Sequence, residues 1–186
     1  MYKEKTIMEG KQIPAVTFKC RVGDDQAITE GGCGFIGGEF KDITTDDLFK
    51  GKKIGIFSLP GAFTPTCSSM QLPGYEAHYD ALQSAGLDDV YCVSVNDSFV
   101  MNAWCKDQDI KHCKVIPDGN GEFTEGMGMA TTFKNRGFGA RSWRYSAIIT
   151  DGVVEKMWVE PGLTEDSDPD PFEVTNAETM LAYLNQ

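Results

Sequence analysis

The stretch Lys53–Met70, KIGIFSLPGAFTPTCSSM, constrains the fold more than any other part of the sequence. Ile54, Ile56, Phe57 and Leu59 make a short apolar run, entered through Lys52 and Lys53 and stopped by Pro60-Gly61. A run of that length between such residues predicts a buried strand that ends in a turn. Thr64-Pro65-Thr66 and Cys67 follow, and from Tyr75 to Ala85 neither Gly nor Pro interrupts the chain. The order is strand, turn, then a cysteine at or near the start of a helix. Unpaired backbone N–H groups and the positive end of a helix dipole favour a thiolate over a thiol. Cys67 is therefore the first candidate for a reactive residue.

Around this centre the chain alternates. Ala15–Phe18 is the expected extended piece before it, and Thr44 or Thr45 can cap a short helical turn through Asp47-Leu48-Phe49. Gly31-Gly32-Cys33-Gly34 reads as a structural loop, since no Lys-Ser/Thr follows as a phosphate site requires. Downstream, Gly86 ends the helical pattern and Val90–Val95 predicts a second buried strand. Asn96-Asp97-Ser98 offers cap chemistry for a helix over Val100–Lys106, and Val115-Ile116 a short strand before Pro117–Gly121. Glu125–Met129 is expected to form a helical turn. Arg144–Thr150 and Val153–Val159 flank Asp151-Gly152, a strong hairpin signal. After an acidic loop, Thr175 and Glu178 form a capping box for a last helix carrying Met180, Leu181 and Leu184. Alternating strands and helices plus a late hairpin predict an α/β protein with a mixed sheet.

The 186 residues suffice for one sizeable core and no linker divides them, so residues 1–186 are expected to form a single domain. A net charge of -11 argues against nucleic acid and anionic membrane surfaces as partners. No apolar run has the length of a membrane span, and the first residues lack the apolar core of a secretory signal, so a cytoplasmic setting is expected. Cys20, Cys33, Cys67, Cys92, Cys105 and Cys113 contain no C-x-x-C pair, which removes the spacing signal for a dithiol or a zinc ribbon. His78 and His112 are too few and too scattered to suggest a metal site.

Pro60, Thr64 and Cys67 stand as P-x-x-x-T-x-x-C, which resembles the active-site signature of the peroxiredoxins, in their type II branch. The resemblance continues through Ser94–Asp97, Ala103-Trp104, Pro117–Gly119 and Arg141–Ser146, covering at least Gly51 to Pro161. It implies a thioredoxin-like fold with a mixed central sheet flanked by helices. It also implies a thiol peroxidase without metal, haem or flavin that reduces hydrogen peroxide and alkyl hydroperoxides. Cys67 would be the peroxidatic residue, Thr64 would orient the peroxide, Arg144 would approach the sulfur from a distant strand, and Pro60 would shield it. Lowering a thiol pKa from about 8.5 to about 6 raises the thiolate fraction at neutral pH only about thirtyfold. That is worth near 2 kcal/mol of barrier, so donors placed for the transition state must supply more.

How the oxidised sulfur is reduced stays open in the sequence. Cys92, twenty-five residues after Cys67, matches a resolving position of plant-like type II members, yet mid-strand it also reads as a small buried apolar residue. Pro161–Val174 lacks the cysteine that mammalian-type members carry there. The alternative is a one-cysteine cycle with glutathione and glutaredoxin; as the sequence stops at Gln186, that glutaredoxin is expected to be separate. A Cys67–Cys92 disulfide would bring thioredoxin forward instead. Arg141 can brace the site or only the surface, with bracing the favoured reading. Phe99, Trp104, Phe123 and Phe138 line either the face of a homodimer, as the resemblance suggests, or the core. Met127 and Met129 read as packing, and Cys105 and Cys113 as packing or incidental thiols. A cysteine hydrolase needs a histidine at the sulfur, and His78 is about 16 Å of helical rise away, so an exposed His78 is expected. A redox sensor that uses Cys67 oxidation as a signal is the other functional class.

Overall fold

The computed structural model describes residues 8–23 and 38–186; the Gly31–Gly34 loop and Cys33 lie outside the described residues. In chain order the elements are β1 (Thr17–Val22), β2 (Glu39–Thr44), α1 (Thr45–Phe49), β3 (Lys53–Ser58), a π-helical turn (Cys67–Gln71) and α2 (Leu72–Ser84). Then come β4 (Asp89–Ser94), α3 (Ser98–Asp107), β5 (Lys114–Pro117), α4 (Glu122–Gly126), β6 (Ala130–Phe133) and β7 (Gly139–Ser142). The chain closes with β8 (Tyr145–Thr150), β9 (Val153–Val159) and α5 (Ala177–Leu184).

The central sheet runs β5-β4-β3-β8-β9. β4 pairs in parallel with β3 and β5, while β8 is antiparallel to β3 and to β9. This is the mixed sheet that alternation plus a late hairpin predicts. β3 takes the middle because its side chains can be buried on both faces. With a period of two, Ile54 and Ile56 turn to one side and Phe57 to the other. The first side holds Phe18, Phe49, Phe123, Met127 and Met129; the second holds Leu72, Tyr75, Trp104, Cys92 and Met180. A fully buried side chain of this kind contributes about 1.5–3 kcal/mol. Gly55 lets α5 close on the sheet, since a Cβ there would lie 2.7 Å from Leu87 Cδ1 and 2.9 Å from Met180 Sδ.

Several expectations shift. The extended piece begins at Thr17 and runs on to Val22, pairing with β2, a strand the polar Glu39–Thr44 sequence conceals. β6 and β7 form another short hairpin that was not legible. Thr44 caps α1 with a reciprocal Asp47 box, and Asp97 caps α3. The helical turn expected at Glu125–Met129 sits at Glu122–Gly126, because the buried Asp118 carboxylate accepts from the N–H groups of Phe123 and Thr124. The expected capping box of Thr175 and Glu178 does not form. Asn176 caps α5 through Thr179 N–H, and the Thr175 hydroxyl instead donates to the buried Glu160 carboxylate. Of the four aromatics offered for a dimer face, Trp104 and Phe123 are fully buried in the core and cannot meet a partner.

The chain enters β5 through a carboxylate clamp. Glu76 on α2 accepts from the backbone N–H groups of Lys111, His112 and Cys113, and lies 2.8 Å from His112 Nδ1. Burial raises the Glu76 carboxyl pKa, but these bonds to the ionised form outweigh it and hold it below the ordinary value. A depressed carboxyl stabilises the fold above its unfolded pKa of about 4.3, and that contribution is lost as pH falls through the folded value. Glu76→Gln, neutral at every pH, is expected to cost about 1–2 kcal/mol at pH 7. Denaturant melts at pH 7 and pH 3 check this: the gap to the parent chain should narrow at pH 3, and an equal gap at both would sink the account.

Candidate active site

β3 ends at Ser58, and Leu59 and Pro60 carry the chain, still buried, into the turn at residues 61–64. Ala62 N–H is held by Asn96 Oδ1 at 3.0 Å, tying the turn to the end of β4. A Cβ at Gly61 would lie 2.6 Å from Arg141 Nη1, so a side chain there would displace the end of Arg141. Phe63 sits at φ 62, a left-handed conformation that a bulky residue rarely adopts, with its ring half in solvent. Helical structure then opens at Pro65, ten residues before the uninterrupted stretch that the sequence suggested. Pro73 explains the discrepancy. It has no N–H for an α-helical bond, and its ring crowds the carbonyl four residues earlier. The turn before it widens, so that Leu72 N–H reaches Cys67 O, five residues back, and the helix continues through Pro73. The wide turn buries Cys67 and Gln71 together and leaves Ser69 and Met70 facing out.

Cys67 is fully buried at the first turn of this helix, and Arg144 Nη1 points at its sulfur from 3.6 Å. The guanidinium, only 1% exposed, is fixed from every side. Nη1 also donates to Gln71 Oε1, Nη2 to Asp170 Oδ1 at 2.6 Å, and Nε to the Pro171 carbonyl at 3.1 Å. Its central carbon stands 5.7 Å from the centre of the Phe172 ring. Burial works against the charge on Arg144, but its interactions with Cys67 and Asp170 outweigh burial and hold its pKa above the usual value. Arg141 Nη1 reaches the Pro60 carbonyl at 3.5 Å, so the bracing expected of it is present. The Thr64 hydroxyl donates to Gly61 O at 2.7 Å, which leaves its lone pairs for an incoming donor. A recess of about 350 Å³ beside this turn is lined by Pro60, Thr64, Pro65, Arg136, Phe138 and Asp170.

The structure thus brings Arg144 to the Cys67 sulfur, while Thr64 and Pro60 line the recess in the turn before Cys67. Cys92 lies in the same core cluster, in the middle of β4 opposite Phe57 and Val115, fully buried, with burial pushing its thiol well above the ordinary value. Cys105 is likewise pushed up to about 11 by burial. Neither histidine is hydrogen-bonded to Cys67. His78 is half-buried rather than exposed, with Nδ1 2.8 Å from Gly74 O, and His112 engages Glu76.

Comparison with known proteins decides the family. Residues 8–181 match the redoxin family. A hybrid peroxiredoxin of Haemophilus influenzae is 50% identical over 177 residues, 95% of this chain and 66% of that protein. A peroxiredoxin of Synechocystis is 49% identical over 177 residues, 95% of this chain and 91% of that one. The chain belongs to the peroxiredoxins. Its crystal-structure relatives include the Plasmodium falciparum antioxidant protein described as a 1-Cys peroxiredoxin, at TM-score 0.85 and 37% identity, covering 95% and 99% of the two chains. The fold is therefore thioredoxin-like, with a mixed sheet flanked by helices, and the activity is that of a thiol-dependent peroxidase.

Sequence reasoning missed the residues that hold Arg144. Gln71 stands between Met70 and Leu72, where only its polarity on the buried side of the helix could have drawn notice. Asp170 and Phe172 lie in an acidic loop that reads as solvated. The fully buried Glu160 holds that loop: its Oε1 accepts from the N–H groups of Glu173, Val174 and Thr175 and from the Thr175 hydroxyl.

Proposed function

We propose that the chain reduces hydrogen peroxide and organic hydroperoxides through a Cys67 sulfenic acid, in a one-cysteine cycle completed by an external thiol. The observation that carries this is the buried guanidinium of Arg144, 3.6 Å from the Cys67 sulfur and held by four protein groups. The thiolate attacks one peroxide oxygen, the O–O bond breaks, and the departing oxygen takes a proton to leave as water or an alcohol. Negative charge moves from sulfur to the departing oxygen, and a preorganised donor follows it without rearranging. The Thr64 lone pairs accept the hydroperoxide O–H and fix its approach. Pro60, Pro65 and Phe138 give an alkyl group an apolar wall.

Reduction then proceeds by attack of a free thiol on the sulfenic sulfur, releasing water and leaving a mixed disulfide that a second thiol cleaves. Glutathione with glutaredoxin is the reductant in this reading, and thioredoxin the other candidate; the setting is a reducing cytoplasm. Cys92 is assigned to packing, because it is hydrogen-bonded strand on both sides and sealed from solvent. The one-cysteine description of the Plasmodium relative agrees with this assignment. We assign the half-exposed Phe63, with Phe99 and Phe138, to the face of a homodimer; light scattering of the parent chain and of Phe63→Ser checks it, and equal masses would overturn it.

Mass spectrometry after one equivalent of peroxide, with and without glutathione, tests the cycle. The expected result is a sulfenic acid or glutathione adduct on Cys67 with Cys92 free, and neither species in Cys67→Ser. A Cys67–Cys92 disulfide would make it a two-cysteine enzyme. Equal reactivity of all thiols would end the peroxidatic assignment of Cys67.

A further inference from the structure

The β6–β7 hairpin reverses through a short turn at Lys134–Arg136, closed by Gly137 at φ 71. Its tip is pinned to the acidic loop: Lys134 N–H donates to Asp166 Oδ1 at 2.6 Å, and Asn135 Nδ2 to Asp166 O at 3.0 Å. Arg136 and Phe138, at the end of this turn, line the same recess as Pro60, Thr64, Pro65 and Asp170. At about 350 Å³ the recess falls in the range of small-molecule sites, about 300–1,000 Å³, and is far larger than a peroxide of two oxygens requires. It adjoins the peroxidatic site through Thr64 and through Asp170, whose Oδ1 accepts from Arg144 Nη2 at 2.6 Å. Pro60, Pro65 and Phe138 make its wall apolar, and Arg136 adds a cation.

The Arg136 side chain is half-buried, so a guest can reach it. Its central carbon lies 5.4 Å from the centre of the Phe133 ring, and Nη2 donates to the Asp168 carbonyl, so the fork is held in place. Nε and Nη1 have no acceptor among the described residues, and no carboxylate there pairs with the charge. The nearby carboxylates are engaged elsewhere: Asp170 with Arg144, Asp166 with Lys134 N–H, and Asp168 Oδ1 with Asn135 Nδ2 at 3.2 Å. In a chain of net charge -11, an available guanidinium thus stands beside an apolar wall. A planar fork with free N–H groups matches a carboxylate.

We propose that Arg136 determines specificity, and that the recess selects organic hydroperoxides that carry a carboxylate. The apolar chain lies along Pro60, Pro65 and Phe138, and the carboxylate meets Arg136 Nε and Nη1. The inference rests on the peroxidase reading of Cys67 and names a substrate class for that site. The chemistry at sulfur is unchanged: Cys67 takes the terminal peroxide oxygen, the O–O bond breaks, and the other oxygen leaves with a proton as the hydroxyl of a hydroxy acid. Hydrogen peroxide, which has no carboxylate, gains nothing from Arg136.

The test compares straight-chain ω-hydroperoxy acids of several lengths with their methyl esters, at physiological ionic strength so that the net charge is screened beyond about 8 Å. On the parent chain the best-fitting acid should exceed its ester at least about threefold in kcat/KM, a modest return for a charged hydrogen bond at a half-exposed site. In Arg136→Gln that preference should disappear, while Lys134→Gln, which removes a neighbouring exposed charge, should keep it. Each ratio is taken on one protein, so a general loss of activity cancels. A smaller preference in the parent at every length overturns the proposal, as does one that Arg136→Gln keeps or Lys134→Gln loses. Binding separates this from the peroxidase reading. Octanoate titrated into Cys67→Ser by NMR should bind tighter than octanamide by the same margin, and Arg136→Gln in that background should abolish the difference. Turnover without that binding preference overturns this proposal alone. The preference without turnover of any peroxide by the parent overturns the peroxidase reading and leaves only an anion-binding recess.

Discussion

Replacing Arg144 by lysine is expected to lower kcat/KM for hydrogen peroxide by about 10²–10³-fold, the loss seen when one preorganised oxyanion donor is removed. Lysine keeps the charge but not the planar fork, so it cannot serve Cys67, Gln71, Asp170 and the Pro171 carbonyl at once. Stopped-flow measurement of peroxide consumption, with a dithiol as reductant, isolates the oxidative half of the cycle. Asp170→Asn should lose less, about tenfold, since it leaves the guanidinium in place and removes only one of its holders. A lysine variant within threefold of the parent would show that the charge alone suffices and that the geometry described here is incidental.

Glu160→Ala is expected to reduce stability by about 3–5 kcal/mol, the range for breaking a buried charged network. For a chain of this size, that is a fall in Tm of roughly 10 °C. One oxygen of this side chain accepts three backbone N–H groups and a hydroxyl, and all four lose their partner. Glu160→Gln keeps an oxygen for those donors, and its amide nitrogen takes the place of Oε2, which has no partner; it should melt closer to the parent. Peroxidase activity of Glu160→Ala should fall below that of Glu160→Gln well under either melting point, because the freed segment carries Asp170, Pro171 and Phe172. Calorimetry with activity measured at 20 °C separates the two effects. Equal melting of the alanine variant and the parent would remove Glu160 from this role.

What the sequence disclosed and what it hid divide along a physical line. The strand, the turn and Cys67 were legible because local rules govern them: an apolar run, Pro60-Gly61, and a helix start. Arg144 was found by resemblance alone, since nothing in its local sequence aims it at a sulfur 77 residues away. Gln71, Asp170 and Glu160 stayed hidden for the same reason, as their partners lie on other elements. Where local rules failed, a tertiary demand had overruled them. Thr175 gave up the cap of α5 because Glu160 needed its hydroxyl, and the helix ran through Pro73 because the wide turn absorbed the missing hydrogen bond. The Glu39–Thr44 strand went unseen because its residues face solvent and show no apolar alternation.

The guanidinium of Arg144 also sets a stoichiometry. An arginine has five N–H bonds. Four are directed at Cys67, Gln71, Asp170 and Pro171. Among the described residues a single N–H, on Nη2, has no acceptor, so one donor is left to offer an incoming oxygen. A peroxide fits that count, since it brings one oxygen that gains charge. An oxyanion such as sulfate, which needs several donors at once, does not. Discrimination between these guests is then a matter of arithmetic at one nitrogen, settled before the size of the recess is consulted.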